Sequence, residues 1–320
     1  MIRKKTNKKY TINIILMLGI VLFSLITSPM VLHAYENYNL ALEKGTQIME
    51  ISDYDEQAWN ATVNVTSNPN DWFGGDADRV GAKSKITVLE WGQYDVSTYG
   101  MFRGLMIPRD YLPTYKAIYD YGYNYTYIMN IFSNYYFVWY KSFDFRSFTL
   151  NGFSNFSDYT THNSMILLYP ENVSKLLDDY NEFATIVNND TVLQSLNYSL
   201  PILSGDDFLW HFVLERFTIG NPIIDYLTTL IGTLECNNVS IQGNTLIIKR
   251  NGIKNYSAEA TYNDQGNLET FLLKNSEGYI FYKITSYYPK ITALIIVGIC
   301  GLSILLLITF FLFYKKKYRK

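Results

Sequence analysis

Two cysteines in 320 residues are too few to staple a fold. Cys236 lies in the central part of the chain and Cys300 within a long apolar run, so they cannot pair. A domain without an internal disulfide has to be held by its core, and the 256 residues between the two ends are enough to bury one. Cys236 reads as a small side chain inside that core. Histidine is equally scarce, with His162 and His211 alone in the central part. The chain has no Gly-x-Ser-x-Gly, no His-Glu-x-x-His, no phosphate-binding glycine loop and no cysteine cluster, so the common hydrolase, zinc-protease and nucleotide-binding signatures are missing. Positive charge is also thin. Setting the two ends aside, 17 Lys and Arg face 29 Asp and Glu, and a protein without a basic footprint is a poor partner for nucleic acid. An acidic exterior is the common solvated state of a secreted domain, with attraction of cations as its second consequence.

The two ends carry what the middle lacks. Residues 1–34 read as a secretory signal: Arg3, Lys4, Lys5, Lys8 and Lys9 precede an apolar run from Ile12 to Ile26, and Ala34 closes a sequence that resembles a cleavage site. An uncleaved anchor is the alternative. Near the other end, Ile291 to Phe313 is a run without a charged residue, long enough to cross about 30 Å of hydrocarbon as a helix. Tyr287 and Tyr288 before it and Tyr314 after it suit the two interfaces, and the tail 315–320, KKKYRK, marks the cytoplasmic side. The expected organisation is a signal over 1–34, an extracellular domain over 35–290, a transmembrane helix over 291–314 and a basic cytoplasmic tail. The expected location is the cell membrane, with one pass and membrane lipid as a partner of that helix.

Nine Asn-x-Ser/Thr sequons lie in the expected extracellular part, at Asn60, Asn64, Asn124, Asn155, Asn172, Asn189, Asn197, Asn238 and Asn255. They fit a glycosylated exterior. Residues 46–66 predict two strands, the second placing Asn60, Thr62, Asn64 and Thr66 on its polar face, and residues 83–91 predict another. From Tyr119 to Tyr127 every second residue is tyrosine. As a strand, that segment would turn its tyrosines inward and Asn124 outward, continuing into the aromatic run YYFVWYKSF; an aromatic groove for a ligand is the other reading.

Helices are predicted over 171–188, with Val173, Leu176, Leu177, Tyr180, Ala184 and Val187 on one side, and over 221–234, capped by Asn221 with Pro222 first and Ile223, Ile224, Leu227, Leu230, Ile231 and Leu234 lining it. Between them GDDFLWHFVLERF is apolar around most of its circumference and belongs at the centre. From 238 to 286, turn signals at Gly243-Asn244, Asn251-Gly252, Asn263 to Asn267 and Ser276 to Gly278 separate short runs, which predicts a β-meander.

Two constellations could carry chemistry. The loop NPNDWFGGDADRVG gathers Asn68, Asn70, Asp71, Asp76 and Asp78 around a glycine pair, as calcium loops do, although Val80 stands where an oxygen is wanted and no glutamate closes it. The bland alternative is a surface turn with Trp72 and Phe73 in the core. Asp207, His211 and Glu215 recur every four residues and share one stripe of the central helix, a spacing that suits zinc or an acid–base pair and equally a solvent edge or a salt bridge. The turn YNDQGNLE is a single copy and has no specificity.

The segments NPNDWFGGDA, SGDDFLW and YNDQGNLETFLLKNSEGYIFYKI, set between a signal and one basic-flanked apolar helix, resemble uncharacterised single-pass cell-surface proteins of archaea. That resemblance implies a location and no activity or site. The expectation is an α+β extracellular domain, an antiparallel meander packed with helices, serving as a binding or structural surface protein. Its ligand would be an extracellular protein, a glycan or a lipid, and no cofactor beyond calcium is expected. A half-barrel lipid carrier and an extracellular metal-dependent hydrolase using Asp207, His211 and Glu215 are the alternatives.

Overall fold

The structure, a computed structural model, describes residues 38–42, 44–97, 135–153 and 160–289. The expected signal, the alternating tyrosines 119–127, the sequons at Asn124 and Asn155 and the apolar run 291–313 lie outside them. No helix among the described residues is long and apolar enough to cross a membrane.

The fold is mixed α/β. Nine antiparallel strands form one sheet in the order β4-β3-β2-β1-β9-β8-β7-β6-β5: β1 Gly45–Tyr54, β2 Lys83–Ser97, β3 Tyr135–Thr149, β4 Thr160–Leu167, β5 Val239–Gln242, β6 Thr245–Asn251, β7 Asn255–Tyr262, β8 Leu268–Asn275 and β9 Ile280–Tyr287. Register shifts at Ile51/Asp53, Lys83/Lys85, Val88/Glu90, Thr261/Tyr262 and Leu273/Lys274 break the ladders. Such bulges add local twist, and the sheet curls.

The predicted meander is present, with each turn where the glycines and asparagines placed it. In β7, Tyr256, Ala258, Ala260 and Tyr262 are buried while Ser257, Glu259 and Thr261 are half-exposed. The inserted helices are α1 Glu56–Thr62, α2 Pro69–Phe73, α3 Val173–Asn189, α4 Thr191–Ser195, α5 Gly205–Leu214 and α6 Ile223–Thr233. Helix α3 buries the predicted stripe except Leu177, which is half-buried, and adds Asp179 and Phe183. Helix α5 is central, with Phe208, Leu209, Trp210, Phe212 and Val213 buried.

Helices α1, α2 and α5 cover β8 and β9 with aromatic rings. Phe73 stacks on Tyr282 at 5.8 Å, Trp72 meets Trp210 at 5.3 Å edge-on, and Trp59 meets Tyr282 at 5.6 Å. On the other wing, the Tyr136 hydroxyl donates to the buried Asp179 carboxylate at 2.8 Å and joins β3 to α3. Helix α6 reaches both edges of the sheet: Tyr226 donates to the Leu167 carbonyl at 2.8 Å, at the end of β4, and the helix also packs on β5. Covering edge strands in this way removes a template for unwanted pairing.

Two expectations fail here. The second strand of 46–66 is helix α1: Asp55 caps it by accepting from the Ala58 N–H at 3.0 Å, and Trp59 and Thr62, three apart, are its buried residues. Seven residues fit both periods, and the burial of Trp59 decides for the helix. In α6 the N-cap is Pro222, without a side-chain bond. Asn221 instead bridges Asn39 through its backbone and gives its side-chain amide to the Asp264 carbonyl, while Ile224 is exposed rather than buried.

Candidate functional site

The Asp207 stripe stays together on α5 and faces outward. Asp207 and His211 are half-exposed and Glu215, at the C-terminal cap, is exposed. Asp207 is engaged twice: the Ser204 hydroxyl donates to Oδ2 at 2.6 Å and Arg250 of β6 donates to Oδ1 at 2.9 Å. The Arg250 guanidinium lies 5.2 Å from the Trp210 ring, so it ties α5 to β6 through charge and through its flat face. Burial raises the Asp207 carboxyl, but the bonds from Ser204 and Arg250 outweigh it and hold the group below the ordinary carboxylate value. The stripe is therefore an N-cap and a salt bridge at one end and a helix terminus at the other.

Most oxygens of the acidic loop are spent on backbone N–H groups, within the loop and at Leu150. Asn68 and Asp71 form a reciprocal capping box for α2, Asn70 accepts from the Asp78 N–H at 2.8 Å and Asp76 accepts from the Leu150 N–H at 3.1 Å. Asp78 faces Tyr54, whose hydroxyl is pushed up to about 12 by burial and by the neighbouring carboxylates of Glu56, Asp78 and Asp55. At Gly75 φ is +66° and a Cβ would run into the Phe148 carbonyl, so the glycine is there to let the loop touch β3. Phe73 is buried and Trp72 packs on the core. Among the described residues no three His, Cys, Asp or Glu side chains gather as metal ligands.

Of the sequons, Asn64, Asn189, Asn197, Asn238 and Asn255 are exposed, and Asn60 and Asn172 half-exposed. Asn64 Oδ1 accepts from both the N–H and the hydroxyl of Thr66, each at 2.9 Å, whereas Thr62, the hydroxyl residue of the Asn60 sequon, is buried. The Asn238 amide is engaged by Asp206 at 3.0 Å. Cys236 is half-buried, and burial first and Asp206 second push its thiol up to about 12, far from a reactive thiolate.

Sequence reasoning missed the most unusual polar group in the molecule. Lys141, within the aromatic run of β3, is 5 % exposed. Its ammonium donates to the Thr218 hydroxyl at 2.8 Å, and Thr218 donates onward to Asn267 Oδ1 at 3.2 Å. No described carboxylate pairs with it, and the Phe143 ring lies 5.4 Å from the ammonium. Burial brings the amine down to about 8. Thr218 follows α5, and Asn267 ends the β7–β8 turn. That turn is held against Ile219 by the Ile219 N–H to Gly266 carbonyl bond at 2.9 Å, with Gly266 at φ +74° where a Cβ would strike the Ile219 carbonyl. A lysine in an apolar run offers no periodic signal, because only the curl of the sheet brings Thr218 and Asn267 to it.

A second cation is boxed by rings. The Arg216 guanidinium lies 4.9, 5.1 and 5.9 Å from the rings of Phe145, Phe148 and Phe73, and donates to Ser84 Oγ and the Phe73 carbonyl. It pins the end of α5 to β2, β3 and α2. Comparison with known proteins finds no match to a family model, to a curated protein or to a solved structure.

Proposed function

We propose that the protein is a membrane-anchored surface protein whose extracellular domain binds or supports another molecule rather than catalysing a reaction. One observation carries the anchored part of this reading. Strand β9 ends at Tyr287, and the chargeless run begins at Ile291 with KKKYRK beyond it, so the sheet's ninth strand leads into the membrane span with almost no linker. A folded domain mounted this closely is held at a fixed height above the bilayer, which suits display or support. Exposed sequons on α3, on β7 and beside α1 agree with an exterior face.

The binding reading is favoured over the alternatives by where the side chains go. The interior beneath α1, α2 and α5 is filled by Trp59, Phe73, Trp210, Phe271 and Tyr282, which leaves the carrier reading without support. Asp207, at the head of the hydrolase stripe, is committed to Arg250 and Ser204.

Protease treatment of intact cells expressing the full chain tests the anchored reading. Loss of the domain with survival of an epitope placed after Lys320 is the expected result, and retention of the whole chain overturns it. A hydrolytic activity that disappears in His211→Ala, with thermal unfolding unchanged, would overturn the non-catalytic part. Capture of partners from native membranes then identifies the bound molecule.

A further inference from the structure

The register of the sheet tells its two ends apart. Ile48 of β1 is paired with Lys85 on one side and Tyr287 on the other, so β2 and β9, each antiparallel to β1, run the same way from one row. Past the pair Gly45–Val88, strand β2 continues to Ser97 with β3 alone, an overhang at the end where β9 departs for the apolar run. The opposite end carries the β6–β7 turn, the β8–β9 turn and the loop after α1. There the Ile253 and Lys254 N–H groups donate to the Val63 and Thr62 carbonyls at 3.2 and 3.0 Å, and a Cβ at Gly252 would strike both carbonyls, so turn and loop lie in contact. Strand β9 starts at that end and runs eight residues, about 25 Å, before it leaves.

Four of the nine sequons, at Asn60, Asn64, Asn238 and Asn255, lie toward this end, and the fold treats them differently. A sequon is read as a pair, the asparagine amide with the hydroxyl two residues on. In a strand, residues two apart share a face: Asn255 is exposed and Ser257 half-exposed, with Tyr256 buried between them. In the loop after α1, Asn64 and Thr66 are both exposed and already in contact, since the Thr66 hydroxyl and N–H each donate to Asn64 Oδ1 at 2.9 Å. Neither Asn64 nor Asn255 donates its amide to a described group. In helix α1, residues two apart are turned about 200° from one another, so Asn60 is half-exposed while Thr62 is buried. At Asn238 the amide donates to Asp206 Oδ2 at 3.0 Å, and the same carboxylate holds the Asn238 N–H.

The two open sequons also stand beside bare aliphatic side chains. Val65, inside the first, is 68 % exposed, and Ile253, two residues before the second, is 56 % exposed. A bulky, solubilising sugar is a natural cover for such residues on touching loops. We infer that Asn64 and Asn255 carry N-linked glycans, added to the folded domain, which cap the end of the sheet opposite the apolar run and cover Val65 and Ile253. The inference deepens the exterior reading above and rests on it. The donor class is an oligosaccharide linked through phosphate to a lipid. The asparagine amide nitrogen bonds to C1 of the first sugar as the C1–O bond to phosphate breaks; the amide gives up one proton and the lipid phosphate leaves with the bonding pair. Asn60 and Asn238 stay unmodified.

The full chain, purified from the membranes of cells that naturally make it, is digested and its peptides are fragmented with the sugar retained, so that mass spectrometry reads carbohydrate at each asparagine. Sugar on Asn64 and Asn255 with none on Asn60 or Asn238 is expected, and Asn64→Gln and Asn255→Gln should each lower the intact mass by one glycan. The variant carrying both changes should bind a hydrophobic dye more strongly than wild type, and adding Val65→Ser and Ile253→Ser should return binding to the wild-type level. Sugar on Asn60 or Asn238 overturns the inference, because the acceptor would then be the unfolded chain. So does a bare Asn64 or Asn255, or dye binding that the double variant leaves unchanged. A bare domain that protease still removes from intact cells overturns this inference alone; a bare domain that protease cannot reach overturns the anchored reading as well.

Discussion

The two wings of the sheet are built by different rules. In the meander β5–β9 each strand pairs with its sequence neighbour, buried and half-exposed residues alternate, and charged side chains lie on the outer face, as in the Lys274–Glu259 pair at 2.7 Å. In the wing β1–β4 the rules are reversed at two places on one hairpin. A lysine is buried among rings on β3, while a tryptophan and a tyrosine of β2 face outward. Local consistency is what makes a chain fold, and departures from it gather where something other than folding is being served. The meander supplies stability; the hairpin gives some up.

Truncation in the regular wing should have the largest effect. Phe271 of β8 is fully buried against Phe73 and Trp210, so Phe271→Ala is expected to cost about 4 kcal/mol, read by chemical denaturation of the protein in detergent.

The buried lysine should behave in the opposite sense. Lys141 falls from its ordinary 10.5 to about 8 in the fold. The unfolded chain therefore binds the extra proton between those values, and this group's penalty is complete below about pH 8 and fades as pH rises toward 10. Lys141→Met should be more stable than the wild type at pH 7, by about 3 kcal/mol if the whole shift is recovered. The gap should close between pH 8 and 10. Above pH 10 both proteins lose stability together, because Tyr54 and other buried tyrosines keep their protons in the fold while the unfolded chain releases them. A gap independent of pH would show that Lys141 is not the titrating group.

Smaller effects separate surface from interior. The Asp207–Arg250 pair is a quarter to two-fifths exposed, and Asp207→Asn should cost under about 1 kcal/mol, an effect that added salt reduces. Trp91→Ala, measured in detergent, should stay within about 0.5 kcal/mol of the wild type, since an exposed ring leaves no cavity. A large loss there would mean that the overhang is held by packing and is no outward surface.

Much of the regular wing was legible. Gly243-Asn244 and the other turn signals set the meander, alternation set the faces of β7, and helical spacing set the buried stripe of α3. The acidic loop was legible only in its bland version: Trp72 and Phe73 could be seen as anchors, but the capping box of Asn68 and Asp71 that explains the oxygens was not seen. Helix α1 was misread because seven residues do not distinguish two periods when the deciding contacts, Trp59 against Phe281 and Tyr282, come from the far end of the chain.

By itself the sequence determined the local elements whose signals are short-ranged: turns, the amphipathic runs of α3 and the meander, and the apolar run of α5. It also determined the acidic, disulfide-free character of the central part. The tertiary structure alone decided how the meander joins the other strands, and so placed Lys141 beside Thr218 and Asn267, Arg216 among three phenylalanine rings, and the overhang of β2 and β3 at the end where β9 departs. The physical reason is that propensity and periodicity act over a few residues, whereas the curl of a nine-stranded sheet adds small twists and bulges across β1 to β9. No segment of the sequence carries that sum.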